Sequence, residues 1–310
     1  MDPAIIESLP GPSKSYSIPS LAFSASSFGT AVPIAQNGKN VFFLKTSSSE
    51  TLIKGEYSAL QLISSALPGF CPDPIAIGRC ANDSSKFFLV ASFLNDLSSG
   101  SGKVYEQKLA DRLAALHTSS TSEVYGRADA TVTCCGSTEL PNTPTSTWVE
   151  FFSTHRLQNI LHQNERMNGK DAEMSRLGEK IVATVVPRLL SRVNSKPSLI
   201  HGDLWRGNAG AIKDPGTGEI MPVIYDSCAY YADSEFELGI MRMFGGFSST
   251  GFFQRYHQHV PVKEPQDEYE DRIRLYRLFH ELNHSVLFGG GGYAEQAKSS
   301  MRVLITKYGT

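Results

Sequence analysis

The chain has 310 residues, a formal net charge of -2 from 29 basic and 31 acidic side chains, and 41% hydrophobic residues. This length allows two lobes around a large core, and the composition is that of an ordinary globular protein rather than a disordered one. No long basic block is present, so we expect no nucleic-acid partner. No apolar run approaches the roughly 18 residues of a membrane span, so we expect no membrane partner.

The N-terminus and the cysteines indicate the compartment. Residues 1–7 lack the positive and apolar regions of a secretory signal, so we expect a cytoplasmic protein. The five cysteines, an odd number, are then reduced thiols. Cys134 and Cys135 have no second Cys or His pair at ligand spacing, so we do not expect them to form half of a metal site. The lack of coiled-coil heptads in the sequence favours a monomer.

The first stretch of the chain predicts strands. Residues 1–20 hold four prolines among serines and are predicted to be a loosely packed lead-in. A small-residue loop follows at 23–30. Asn37–Gly38 then predicts a hairpin turn into a strand that ends on Lys45.

A helix and a further strand complete this first lobe. Gly55–Glu56 opens the predicted helix, which has an apolar face at helical spacing. The apolar run that begins at residue 87 and extends to residue 94 predicts a strand. A polar, glycine- and serine-rich segment then marks a boundary, so we predict an N-terminal lobe at 1–95 and a C-terminal lobe at 96–310.

The second lobe is predicted to be mostly helical. Apolar stripes predict a helix that closes near His117. The segment 118–147, rich in Ser, Thr and Pro, is predicted to be a long surface loop. Further helices are predicted near 148–161, 174–185, 234–244, 266–287 and 293–307. The fold class is therefore α+β, with a small β-rich N-lobe and a larger α-helical C-lobe.

Two acidic loops carry the candidate chemistry. Leu199–Ile200 leads into a loop in which Asp203 and Asn208 stand five residues apart, and a second apolar run ends at Asp226. Carboxylate and carboxamide oxygens suit a magnesium–phosphate site. One of the carboxylates can also accept a proton from an attacking hydroxyl.

Phosphoryl transfer further needs a lysine on the nucleotide phosphates and a carboxylate that orients this lysine. Lys45 and Glu56 are the candidates, Asp203 would be the base, and Asn208 and Asp226 would hold Mg²⁺. Taken singly, each has a plainer interpretation as a solvated lysine, a charge near a helix N-terminus, or a turn or buried hydrogen-bonding residue. Their order and spacing together favour a kinase.

The catalytic segment also resembles a known family. His201–Gly202–Asp203, with Asn208 five residues after the aspartate, resembles the catalytic loop of the protein-kinase-like superfamily in its small-molecule branch. The longer segment 197–208 resembles the fructosamine/ketosamine 3-kinase (protein-ribulosamine 3-kinase) family. Agreement extends from about residue 24 to the C-terminus, most clearly at Trp148–Leu157, Tyr230–Glu235, Phe244–Phe247 and Leu275–Gly290.

This resemblance implies a protein-kinase-like two-lobe fold and the use of ATP and Mg²⁺. The family phosphorylates the O3 hydroxyl of a sugar joined through a ketoamine to a lysine or small amine, and the 3-phosphate makes the adduct release its amine. The implied substrates are glycated protein lysines or free ketoamines. The resemblance assigns the phosphate-covering loop to Ser26, Ser27, Phe28, Gly29 and Thr30, and adenine binding to Ser92, Phe93 and Leu94.

Four further residues are substrate candidates. The ring of Trp205 could stack on the sugar or face a cationic amine, or it could pack the loop onto a helix. His280, Asn283 and His284 stand at i, i+3 and i+4, so they could share a helix face toward the substrate or belong to ordinary helix packing. His201 is expected to fix the loop by hydrogen bonds rather than to carry protons.

Three positions depart from the family pattern, and two rival functions stay open. Ser227 stands where a proline is usual, Glu237 where an aspartate is frequent, and the nucleotide loop has only Gly29. The rivals are another small-molecule kinase, of the aminoglycoside or choline type, and a kinase-like binding protein without turnover. The stretches at 230–235 and 244–247 argue against the first, and the complete set of catalytic residues argues against the second.

Overall fold

The computed structural model describes residues 1–11, 16–19, 24–26, 29–119, 122–214, 216–289 and 292–309. An antiparallel sheet dominates the chain up to residue 92, and helices with short strand pairs follow it. This is the α+β arrangement predicted from the sequence. Among the helices in these ranges, none combines the length and the apolar character needed to cross a membrane.

The sheet consists of β1 (Tyr16–Ser17), β2 (Ser24–Ser26), β3 (Gly29–Gln36), β4 (Lys39–Ser47), β5 (Pro74–Arg79) and β6 (Phe87–Ser92). Its order is β1–β3–β4–β6–β5, with β2 beside β3, and all pairs are antiparallel. The predicted hairpin joins β3 to β4, where Asn37 and Gly38 have φ values of 52° and 78°. Positive φ at both turn residues matches the twist of the strands. On β4, Lys45 lies between Ala31 of β3 and Leu89 of β6.

Helix α2 (Glu50–Ala66) packs on one face of this sheet. It begins earlier than predicted because the Ser49 hydroxyl caps it, accepting a hydrogen bond from the Leu52 N–H at 3.1 Å. Gly55 allows this helix to approach a later segment closely. A Cβ on Gly55 would lie 2.9 Å from the Thr133 Cα and from the Val132 carbonyl oxygen. A side chain there would therefore displace the helix that carries Glu56.

The N-terminal segment is more ordered than predicted. Helix α1 (Pro3–Ser8) is capped by Asp2, whose carboxylate also accepts hydrogen bonds from the backbone N–H groups of Ala81 and Asn82. Proline at the first helical position is compatible with a helix, since its missing N–H would have no partner there. Ile5 and Leu9 of this segment pack with a second apolar cluster on the sheet, formed by Val32, Ile34, Leu44, Cys80, Phe88 and Val90.

Helices form most of the remaining chain. They are α3 (Gly102–Ser119), α4 (Trp148–Phe151), α5 (Asn159–Asn168), α6 (Ala172–Lys180), α7 (Val186–Leu190), α8 (Ser234–Met241), α9 (Gln254–His259), α10 (Tyr269–Phe288) and α11 (Tyr293–Tyr308). The predicted loop at 118–147 instead contains a small hairpin of β7 (Thr133–Cys135) and β8 (Thr138–Leu140). A π-helical turn at Ile181–Val185 joins α6 to α7, which contains Pro187.

Two short strand pairs position the acidic loops. β9 (Ser198–Ile200) pairs with β12 (Tyr230–Ala232), and β10 (Ala209–Lys213) pairs with β11 (Ile220–Ile224). The loop with Asp203 and Asn208 therefore runs from β9 to β10, and the loop with Asp226 runs from β11 to β12. Because the strands pair, the two loops lie side by side.

Candidate active site

Lys45, Glu56 and Asp226 form a continuous ion chain between the sheet and the second acidic loop. The Lys45 Nζ lies 2.6 Å from a Glu56 carboxylate oxygen and 3.2 Å from the Asp226 Oδ1. The Lys45 and Glu56 side chains are only 12% and 10% exposed, whereas Asp226 is 50% exposed. Asp226 adopts a left-handed φ of 56°. The structure thus brings Asp226 into contact with Lys45, which lies 181 residues earlier in the chain.

Burial and charge act on this ion chain in opposite directions. Burial by itself would lower the pKa of Lys45, but the Glu56 and Asp226 charges raise it above its usual range. Burial raises the pKa of Glu56, with Lys45 acting in the opposite direction. Lys45 is therefore held as a cation in a largely dry position, where a phosphate can replace or share its carboxylate partners.

A cleft of about 340 Å³ opens beside the ion chain. Lys45, Glu56 and Asp226 lie at its polar end, and the predicted adenine-binding residues Ser92, Phe93 and Leu94 line its other part. Its remaining walls are mostly apolar and include Ala31, Phe43, Leu60, Leu89, Ala91 and Leu97. An apolar slot with charged groups at one end suits a flat base attached to phosphates.

The predicted phosphate-covering loop is described in part. Ser27 and Phe28 lie outside the described residues, and Ser26 is described as a residue of β2 paired with Gly29. Gly29 and Thr30 line a shallow pocket together with residues 46–49. A Cβ on Gly29 would lie 2.5 Å from the Thr46 carbonyl oxygen, so a glycine is required at this position.

The catalytic loop is held by its own side chains. The Asn208 amide nitrogen donates hydrogen bonds to the Asp203 carbonyl oxygen at 2.9 Å and to the Asp203 carboxylate at 3.3 Å. The Asp203 N–H donates to the Nδ1 of His201 at 3.2 Å, and the Nε2 of His201 donates to the Tyr225 carbonyl oxygen at 2.9 Å. His201 therefore connects the two acidic loops, which is the structural role predicted for it.

Glu237 supports this loop from behind. Its fully buried carboxylate accepts hydrogen bonds from the backbone N–H groups of His201 and Gly202. Burial would raise the pKa of Glu237, but the His117 and His201 interactions lower it, so the side chain is ionised. The extra methylene relative to aspartate thus still allows both hydrogen bonds.

Asp203 has an environment that suits a general base. Burial raises the pKa of its carboxyl to about 8, and the Glu237 and Asp226 charges act in the same direction. The hydrogen bonds from Cys135 and Asn208 partly offset this rise in pKa. A base whose pKa lies near neutral pH can both be ionised and accept a proton with useful driving force.

The residues predicted to hold Mg²⁺ provide hard oxygen ligands. Because the Asn208 amide nitrogen is used in the bonds to Asp203, its oxygen is the atom left for a cation. The half-exposed Asp226 carboxylate supplies anionic oxygens on the neighbouring loop. This donor set fits Mg²⁺, which prefers one or two carboxylates together with phosphate oxygens and water.

Trp205 and His284 belong to one aromatic strip beside the catalytic loop. The Trp205 ring is 40% exposed and meets Phe244 edge to face at 5.9 Å between ring centroids. Phe244 in turn lies 5.0 Å from His284, which contacts Phe288 and Tyr293. A Cβ at position 207 would lie 2.3 Å from the Trp205 ring, so Gly207 leaves space for this ring orientation. Phe244 belongs to the stretch 244–247 that carries the family resemblance, but its contact with Trp205 arises only in the folded chain and was not predicted.

His280 and Asn283 occupy different positions from those expected. Both are fully buried, so they lie behind the catalytic loop rather than on a surface that a substrate contacts. His280 packs against Phe236 and Phe279, and the Asn283 amide donates to the Cys135 Sγ at 3.1 Å. The helical spacing correctly placed these residues on one face, but that face is covered by α8 and β7.

Cys135 is a site residue that the sequence interpretation missed. It comes from the β7–β8 hairpin, which lies in the segment predicted to be a loop. Its thiol lies against the Asp203 carboxyl and influences the Asp203 pKa. The three residues Thr133–Cys135 show no alternation of polar and apolar side chains, so the sequence offered no signal for this strand.

A β-rich lobe, a helical lobe and a cleft with a lysine–glutamate pair together define a protein-kinase-like phosphotransferase fold. A family model described as fructosamine kinase matches residues 23–307. A Synechocystis sp. protein named as a ketoamine kinase is 35% identical over 269 residues, or 86% of this chain and 83% of that protein. The chain therefore belongs to the fructosamine kinase family.

Two further comparisons agree with this membership. A Mus musculus protein named ketosamine-3-kinase is 39% identical over 173 residues, which are 56% of this chain and 52% of that protein. A crystal structure from Thermobifida fusca, named as a fructosamine-3-kinase, superposes with a TM-score of 0.80 at 21% identity and covers 98% of both chains. At that identity the superposition supports the fold. The predicted protein-kinase-like fold and kinase family are thus confirmed.

Proposed function

We propose that this chain is a ketosamine 3-kinase that transfers the γ-phosphoryl group of ATP to the O3 hydroxyl of a ribulosamine or fructosamine. The observation that carries the proposal is the Lys45–Glu56–Asp226 ion chain beside the Asp203–Asn208 pair. Family membership and the names of the relatives support the acceptor class. The substrate would be a glycated protein lysine or a free ketoamine, and its phosphorylation would lead to release of the amine.

The nucleotide would bind in the cleft of about 340 Å³, with its base between the apolar walls and near Ser92–Leu94. Lys45 would then contact the phosphates, while Glu56 keeps the ammonium group in place. Asn208 and Asp226 would hold Mg²⁺, which neutralises charge on the phosphates when it is bound. The positions of the buried Lys45 and Glu56 and the half-exposed Asp226 in this cleft support these roles.

Asp203 would take the proton of the acceptor hydroxyl. As the bond between O3 and the γ-phosphorus forms, the bond from that phosphorus to the β–γ bridging oxygen breaks, and ADP leaves. The O3 proton moves to the Asp203 carboxylate and afterwards to solvent. The raised pKa of about 8 supports this role, since a more basic carboxylate accepts a proton more readily.

The aromatic strip would bind the acceptor. Trp205 stands two residues after the base, so an acceptor hydroxyl at Asp203 would place the rest of its sugar or amine near the Trp205 ring. An exposed indole can cover the apolar face of a sugar or contact a cationic amine. The strip continues over Phe244 to His284 and offers further aromatic surface for the amine portion of the acceptor.

The test is incubation with ATP and Mg²⁺ and, in separate reactions, a ribulosamine, a fructosamine, choline and an aminoglycoside. We expect a singly phosphorylated ketoamine, identified by mass spectrometry, and slow release of its amine. Asp203→Asn should reduce the rate by about 10²–10⁴-fold without loss of nucleotide binding. Asp96→Asn, at an exposed position, serves as the matched control.

The outcomes separate the alternatives. Phosphorylation of choline or the aminoglycoside alone would refute the ketosamine acceptor. Nucleotide binding without any phosphorylated product would favour a kinase-like binding protein. An Asp203→Asn variant as active as the wild type would refute the assigned base.

A further inference from the structure

Three metal-ligating side chains from separate elements meet behind the cleft. They are Cys135 of β7, Asp203 of the catalytic loop and His280 of α10, and one ligand atom of each lies within 4.8 Å of the others. Cys135 and His280 are buried, while Asp203 is partly exposed. A small ion could therefore reach the group from the side on which Asp203 is exposed to solvent.

His280 is the independent sign that a ligand belongs here. Its side chain is fully buried, and neither ring nitrogen has a hydrogen-bond partner among the described residues. A buried polar group without a partner is destabilising, so such groups are uncommon unless something else satisfies them. Burial lowers the pKa of His280 well below its usual value. The imidazole is then neutral, which is the form in which histidine binds metals.

The surroundings also orient the sulfur. The Asn283 amide donates to the Cys135 Sγ at 3.1 Å and fixes its direction. Cys228 is close enough to interact with Cys135, and its sulfur lies near Gly202, where a Cβ would be 2.7 Å away. Hydrogen bonds from neighbouring residues to metal ligands typically hold such ligands in their binding orientation.

We propose that Cys135, Asp203 and His280 form a site for a single Zn²⁺-class transition-metal ion. Sulfur and imidazole ligands select such ions over Mg²⁺, which prefers oxygen. In a tetrahedral zinc site the ligand atoms stand roughly 3.4–3.8 Å apart, so the three side chains need to close in by no more than about 1.4 Å. On binding, the Cys135 thiol releases its proton to solvent and a sulfur–metal bond forms, with a water molecule in the fourth position.

Metal binding at this site would weaken the base. Once an Asp203 oxygen is bound to the ion, the positive charge of the metal lowers the basicity of the carboxylate, so the ion would inhibit phosphoryl transfer. This consequence rests on the proposed function, whereas the metal site itself does not. It also differs from the Mg²⁺ role of Asn208 and Asp226, because that role requires oxygen ligands on the nucleotide side.

The test uses Co²⁺ as a spectroscopic substitute for zinc on the full-length, metal-free protein in excess Mg²⁺. We expect one Co²⁺ per chain, a thiolate-to-cobalt absorption band in the near ultraviolet, and loss of that band when Zn²⁺ is added. Cys135→Ser should abolish the band, and the adjacent Cys134→Ser should retain it. His280→Asn should keep the band but weaken Co²⁺ binding at least about tenfold.

Thermal melting of each variant checks that it is folded. Should Cys135→Ser unfold, the comparison of His280→Asn with Cys134→Ser still decides the matter. Absence of a thiolate band in the wild-type protein would overturn the proposal, as would a band that persists in Cys135→Ser or Co²⁺ affinity unchanged in His280→Asn. None of these measurements involves a ketosamine, so failure of the proposed function would be detected separately.

Discussion

Replacement of Asp203 by asparagine is expected to stabilise the folded protein while it removes phosphoryl transfer. The unfolded chain ionises this carboxyl near its usual pKa of 3.8, whereas burial raises the folded pKa to about 8. The folded state therefore resists ionisation, and the destabilisation grows as the pH rises from about 4 to about 8. Asparagine has no charge to desolvate and can still accept the hydrogen bond from Asn208.

The magnitude follows from the two pKa values. A rise from 3.8 to about 8 corresponds to roughly 6 kcal/mol at most. Because Asp203 is partly exposed, solvent screening reduces this to about 1–2 kcal/mol. For a chain of this size, the midpoint of thermal unfolding of Asp203→Asn at a pH above 8 should therefore be about 2–6 °C higher than that of the wild type. The difference between variant and wild type should become small near pH 5.

Differential scanning fluorimetry from pH 5 to pH 9 measures this difference, and a phosphoryl-transfer assay accompanies it. Asp96→Asn is the control, since Asp96 is exposed and its left-handed φ of 54° is one that asparagine tolerates. The control should show neither the stabilisation nor the loss of activity. A stability difference that does not vary with pH, or a destabilised Asp203→Asn variant at pH 8, would refute the reasoning.

Three further substitutions test other parts of the site. Lys45→Met leaves Glu56 buried without its cation, so we expect a loss of about 3–5 kcal/mol in unfolding free energy and at least a 100-fold loss of activity. The control Lys54→Met, at an exposed position, should show neither loss. An unchanged melting temperature of Lys45→Met would contradict the importance of the buried pair. Glu237→Gln replaces an acceptor of two backbone hydrogen bonds, so kcat should fall about 10–100-fold with little change in the KM for ATP. A change confined to the KM for ATP would argue against the role of Glu237 in holding the catalytic loop. Trp205→Leu removes the exposed ring, so the KM for the acceptor should rise about tenfold while the KM for ATP stays constant. Equal increases in the two KM values would contradict a contact between Trp205 and the acceptor.

The order of lobes and the main loops could be predicted because their signals are local. Asp203 and Asn208 lie in one loop, and their spacing alone allows the hydrogen bond that joins them. The hairpin before Lys45 is determined by Asn37–Gly38, whose positive φ values favour these residue types. Local chemistry of this kind can be recognised in a single sequence.

Features that depend on distant packing could not be predicted in the same way. The spacing of His280 and Asn283 is equally compatible with an exposed helix face and with a buried one. The face is buried because other elements pack on it, including Phe236 of α8, which contacts His280. The position of Cys135 beside Asp203 depends on a three-residue strand. Helix α1 is different, because Asp2 followed by proline was a readable start signal that the proline-rich composition obscured.

The close contact at Gly55 also bears on how the enzyme is controlled. Helix α2, which carries Glu56, lies directly against the backbone at 132–133, where a Cβ on Gly55 would be 2.9 Å from the Thr133 Cα. In protein kinases, activity is set by the position of the corresponding helix and its glutamate. Here an outward swing of that helix would have to break a direct backbone contact. The Lys45–Glu56 pair should therefore remain assembled in the absence of ligands, and the arrival of substrates rather than a helix movement would start the reaction.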